Sequence, residues 1–128
     1  MTRVTLLVSL AGVILLPATA LTAQVLQPDS AMVRAATRTL RSDLRNFVTA
    51  QEIYFADHTT YAPSLRAMRE IYRPSPGVTL VLLTSSGVGH SEIAIDERVP
   101  GLVCAMYVGN VPPPMGRGVE GEVVCRGP

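Results

Sequence analysis

Within these 128 residues, the side chains with the type and spacing to do chemistry are two cysteines, two histidines, a set of regularly spaced arginines and a few aromatics. Cys104 and Cys125 could be a redox pair or a disulfide. A redox-active pair favours Cys-x-x-Cys at a helix start, and this spacing is far wider. A structural disulfide is the reading, and closing a loop of roughly 20 residues contributes about 3 kcal/mol. His90, beside Ser91 and near Gly87 and Gly89, invites a hydrolase reading. A nucleophile elbow needs Gly-x-Ser-x-Gly, which is absent, so His90 reads as a polar residue at a strand start. His58 follows Asp57 in what reads as a solvated loop. Two isolated histidines and two cysteines are too few for a zinc site of the usual spacings, and no metal or cofactor is expected. With no lysine in the chain there is no Schiff base or P-loop lysine either.

The arginines carry a different chemistry. Arg34, Arg38, Arg41 and Arg45 fall within about 60° of arc on a helix at 100° per residue. Like charges at that spacing repel by a few tenths of a kcal/mol per pair. Asp43 points to another face and Glu52 lies two turns beyond Arg45, so nothing on the helix neutralises the four. They are the candidate anion-binding residues, for lipid headgroups or nucleic acid phosphates; a plain solvated face is the competing reading. Tyr54, Phe55 and Tyr61 have the chemistry of a sugar- or base-stacking platform, but they read as anchors fastening a loop onto the sheet. Pro112–Pro114 reads as an exposed spacer rather than a polyproline ligand.

The elements that must position these residues follow from pattern. Met1-Thr2-Arg3 opens the chain, and Val4 to Leu16 carries no charge. Pro17 and the small residues Ala18, Ala20 and Ala23 complete the signature of a secretory signal peptide over 1–23, cleaved after Ala20 or Ala23. An uncleaved membrane anchor is the rival reading. Without residues 1–23 the charges balance at ten arginines against ten carboxylates, leaving no global bias toward nucleic acid. Export places the cysteines in an oxidising compartment, periplasmic or extracellular. Residues 24–128 read as a single domain.

Asp29 or Ser30 caps a helix over about 30–57, free of Pro and Gly, with an apolar stripe of Val33, Leu40, Leu44, Phe47, Val48, Tyr54 and Phe55. Residues 58–63 form a loop, and Ser64–Glu70 a short helical turn. After Pro74-Ser75-Pro76-Gly77 the period changes to two. Val78–Thr84, His90–Asp96 (alternating through Ile93 and Ile95), Leu102–Val108 and Glu122–Arg126 predict three or four antiparallel strands spanning about 78–126. The expected fold is α+β: an amphipathic helix packed on an antiparallel sheet, closed by a C-terminal disulfide loop.

The stretch Ser42-Asp43-Leu44-Arg45-Asn46-Phe47-Val48-Thr49-Ala50-Gln51-Glu52-Ile53-Tyr54-Phe55-Ala56-Asp57, with Thr60-Tyr61 after it, resembles the helix-to-loop segment of bacterial type IV pilins and pseudopilins. Arg73-Pro74-Ser75-Pro76-Gly77-Val78 is similar to their Ser-Pro-rich lead into the sheet, and Cys104 and Cys125 to their C-terminal cysteine pair. The resemblance implies a pilin-like headgroup over roughly 38–128. It departs from the family at the N-terminus: no Gly-Phe-Thr motif occurs, and no acidic residue precedes Asp29. The expected product is therefore a headgroup without an assembly stem, a monomer or weak oligomer if the signal is cleaved.

The function expected is a non-catalytic exported module acting through protein contacts, accessory to a type IV pilus or type II secretion-like assembly. The alternative is an extracytoplasmic binding module for anionic surfaces through Arg34, Arg38, Arg41 and Arg45. A small secreted enzyme is the third class, and no nucleophile–base or paired-carboxylate set supports it.

Overall fold

The computed structural model describes residues 29–128. The expected signal peptide over 1–23, with its cleavage after Ala20 or Ala23, lies outside the described residues. Helix α1 runs Ser30–His58. Asp29 is its cap, accepting from the Ala31 N–H at 3.1 Å and so satisfying a backbone donor that the helix cannot. The helix stops at Thr59, which is left-handed (φ 58°) and returns its N–H to the Phe55 carbonyl at 2.8 Å.

The buried side of α1 comprises Ala36, Leu40, Asp43, Leu44, Phe47, Ala50 and Gln51. Leu40, Leu44 and Phe47 stand where the periodicity places them. Val33, Val48, Tyr54 and Phe55 lie at the margin, half-buried, while Ala36 and Ala50 take central positions. Small residues there let the helix axis approach the sheet closely, which an apolar stripe drawn from large side chains does not reveal.

Four strands follow: β1 Val78–Ser86, β2 Gly89–Asp96, β3 Val103–Gly109 and β4 Val124–Arg126. They form one antiparallel sheet in the order β1-β2-β3-β4, with α1 lying across β2 and β3. The expected helical turn after residue 63 is a 3-10 turn over Leu65–Met68, capped by Ser64. Its Met68 joins Leu40, Leu44, Phe47, Leu80, Val99, Leu102 and Cys104 in one core. The disulfide joins Cys104 to Cys125, which stand directly opposite in the β3–β4 register. The resulting architecture is one helix on a four-stranded antiparallel sheet, α+β, tied at its C-terminal edge. No helix among the described residues is long and apolar enough to cross a membrane.

One face assignment is the reverse of the sequence reading. The inner face of β2 presents His90, Glu92, Ala94 and Asp96, all buried, while Ile95 turns outward at 36% exposure. Register decides this, because a one-residue slip exchanges the two faces. Ala94 is opposite Leu80 on β1 and Cys104 on β3, both core residues. Gly89 and Gly109 lie opposite each other, so close that a Cβ on Gly109 would run into the Val88 carbonyl. That contact locks β2 against β3 with the isoleucines outward.

Candidate functional site

The arginine set divides when its surroundings are seen. Arg41 is half-buried, and its Nη1 donates to the Val123 carbonyl at 3.1 Å, fastening the lead into β4 onto the helix. It is a structural strut. Arg34, Arg38 and Arg45 are exposed; Arg34 donates to Ser30 Oγ at 3.3 Å. The arginine–carboxylate pairs among the described residues are Arg69–Glu70 and Arg98–Asp96, so none of the three has an acidic partner there. Arg98 holds the Asp96 carboxyl below its usual range through hydrogen bonds and charge. A shallow open depression of about 510 Å³ lies over Ser64, Arg66, Ala67, Arg69 and Glu70, all of them exposed.

The aromatics behave as anchors at one end of α1. Tyr61 packs against Phe55 at 4.7 Å between ring centroids and, edge-on, against His90 at 4.7 Å. Its hydroxyl donates to Glu52 Oε1, and burial followed by that carboxylate raises its pKa. Tyr54 instead stacks on His58 at 3.9 Å. His58 is the last residue of α1 rather than part of a loop, and its Nδ1 donates to the Tyr54 carbonyl at 2.9 Å. The loop that follows is clamped from both sides. Gln51, fully buried, accepts from the Ala62 N–H at 2.7 Å, and Ser85 Oγ donates to the Ala62 carbonyl at 2.8 Å. Pro113 and Pro114 are half-buried, so of the proline run only Pro112 is exposed. The loop around it is drawn back onto β3, with Tyr107 Oη donating to the Gly118 carbonyl and the Gly109 N–H donating to Glu120.

A cluster that the sequence reading missed lies between α1 and the sheet. His90 Nδ1 and Glu92 Oε2 are 2.8 Å apart, and both side chains are completely buried. Phe47 from α1 closes one side of the imidazole at 6.1 Å and meets Tyr72 edge-on at 5.2 Å. Burial pushes the Glu92 carboxyl above its ordinary range against the opposing pull of His90. Burial first, then the charges of Asp43 and Glu92, pushes the Tyr72 hydroxyl far up. Asp43 is itself buried and accepts from both the N–H and the Oγ of Ser75 at 2.8 Å. Thus His90 is a strand-start residue as read, but one enclosed in the core. The available signal was the polar alternation His90-x-Glu92-x-Ala94-x-Asp96, overshadowed by Ile93 and Ile95 one position out of phase.

Chemically, a hydrogen-bonded His–Glu pair can hold or exchange a proton. Among the described residues no serine or cysteine donates to His90, and Ser91 points to the opposite face of β2. No group of three potential metal ligands occurs among them. No protein-family model matches the chain, and no curated protein matches it.

Proposed function

We propose that this chain is a non-catalytic, exported pilin-like module that acts through protein contacts, accessory to a pilus or secretion-type assembly. The observation carrying the reading is the combination of one helix on a four-stranded antiparallel meander with a disulfide tying its C-terminal edge. In support, the pilin-like stretch 42–61 forms the end of that helix and the loop clamped beneath it by Gln51. The disulfide is compatible with an oxidising compartment outside the cytoplasm. Surfaces for contact include the outer side of the sheet, where Val81 and Leu83 are 40% and 50% exposed, and the loop bearing Val119. Photo-reactive amino acids at Leu83 and Val119 in the living source cell test the reading. Protein adducts at either position are expected, and their absence at both overturns it.

A second reading has its own observation: Arg34, Arg38 and Arg45 share one exposed helix face with no carboxylate partner among the described residues. It is an anion-binding face. Capture of anionic vesicles or DNA that weakens steeply with salt, and is lost when the three are changed to glutamine, supports it. Binding that is indifferent to both overturns it.

A further inference from the structure

The buried polar cluster has no part in either functional reading. The core of a domain this size gains nothing obvious from a fully enclosed imidazole and carboxylate, because each costs free energy when charged and alone. Their arrangement gives them one economical state. With the proton held on Glu92 and donated across the 2.8 Å contact to His90 Nδ1, both groups are neutral. Remove that proton and a net negative charge is left under Phe47, in the centre of the helix–sheet contact.

We propose that the His90–Glu92 pair is a proton-operated latch between α1 and the sheet. Protonated, it keeps the helix docked; deprotonated, it loosens that docking.

The surroundings reinforce the direction. From α1 the facing residues are Phe47 and, beyond Tyr72, the carboxylate of Asp43, whose charge together with that of Glu92 raises the tyrosine hydroxyl. From the loop after α1 comes Tyr61, bonded to Glu52 and within reach of the Glu120 charge. From the segment before β1 comes Tyr72. The cross-strand neighbours of the pair are Leu82 and Ser85 on β1 and Met106 and Val108 on β3, none titratable. The charged groups that act on the two tyrosines beside the pair, Asp43, Glu52 and Glu120, are carboxylates, and among the described residues no arginine donates to either member of the pair. Glu92 Oε1 and His90 Nε2 have no hydrogen-bond partner among the described residues, so no further hydrogen bond there disperses a charge left on the pair.

The sign follows from linkage. A carboxyl raised in the folded state binds a proton that the unfolded chain has already released. Its stabilisation is complete below the ordinary glutamate value of 4.5 and is lost as pH climbs through the folded-state value. The loss is at most about tenfold in the folding equilibrium constant per pH unit, the limit for one proton.

Urea unfolding of the full chain between about pH 5 and pH 9, followed by circular dichroism, reads this directly. Glu92→Gln keeps the shape and a hydrogen bond to His90 but cannot lose a proton. Relative to that variant, the wild-type folding constant is expected to fall as pH rises, by up to about tenfold per unit. Parallel curves overturn the proposal. If Glu92→Gln does not fold, carbon NMR of the wild-type carboxyl decides instead, and a Glu92 that titrates in the ordinary glutamate range overturns it. A third readout separates a latch from a merely buried pair. Amide exchange over residues 40–51, corrected for the intrinsic rate, is expected to show more opening at pH 8.5 than at pH 5.5, and equal protection overturns the proposal.

Discussion

At the scale of single residues, two polar side chains on α1 matter more to the fold than their type suggests. Asp43 is buried and ties the Pro74-Ser75-Pro76 bend to the helix by accepting twice from Ser75. Hydrogen bonds to a charged acceptor are stronger than neutral ones, and their loss here strands a part-buried N–H. Asp43→Ala is therefore expected to destabilise by about 2–3 kcal/mol in urea unfolding. The arginines make an internal comparison on one helix. Arg41→Ala removes the bond to the Val123 carbonyl and is expected to cost about 1 kcal/mol, whereas Arg38→Ala, exposed and without such a bond, stays within about 0.5 kcal/mol. Equal effects from the two would show that Arg41 is not the strut described above.

At the scale of elements, the β2–β3 hairpin partners are held in register by backbone proximity. Gly109 has φ 79°, a region that L side chains rarely occupy, and its missing Cβ leaves room for the Val88 carbonyl. Beside it, the Asn110 N–H donates to that same carbonyl at 2.9 Å, joining the β1–β2 turn to the end of β3. Gly109→Ala faces both backbone strain and a steric clash, and is expected to destabilise by more than about 2 kcal/mol. Gly116→Ala makes the control: its φ is also positive, but a Cβ there meets nothing within 4 Å. The smaller loss expected for Gly116→Ala isolates the clash from the strain in thermal unfolding of the two variants. The order of elements was legible in the sequence because Pro74-Ser75-Pro76-Gly77 and Gly87-Val88 punctuate it, although β1 runs on to Ser86, β2 begins at Gly89 and β4 only at Val124. The faces of β2 were not legible, since both of its phases contain residues that suit a core.

At the scale of the whole molecule, the disulfide connects the shortest strand to the sheet's interior. β4 is three residues long, and three pairs hold it to β3. Cys104 is fully buried, so the bridge reaches the core rather than decorating the surface. Cys104→Ser is expected to lower stability by about 2–5 kcal/mol. Its damage should concentrate on residues 110–126, because Arg41 is the helix's hydrogen bond to that segment at Val123. Amide exchange resolves this: rapid exchange confined to that segment supports a local tie, and uniform acceleration across the sheet shows that the bridge holds the whole fold.

The sequence by itself determined the order and kind of the elements, the helix to within a residue at its end with its cap narrowed to Asp29 or Ser30, and the cysteine pair. These depend on neighbours along the chain: a run free of Pro and Gly over about 30–57, Asp29 and Ser30 at its start, turn residues between β-rich runs, and two cysteines with only each other to bond. Tertiary structure alone decided which side of each element faces inward. It placed His90 and Glu92 beneath Phe47, withdrew Arg41 from the arginine face, and spread the loop after β3 back over that strand. The reason is that inwardness is fixed by register and close approach between segments far apart in the chain. For β2 the deciding contacts are Ala94 against Leu80 and Cys104, and Gly89 against Gly109, which no local pattern within residues 89–96 contains.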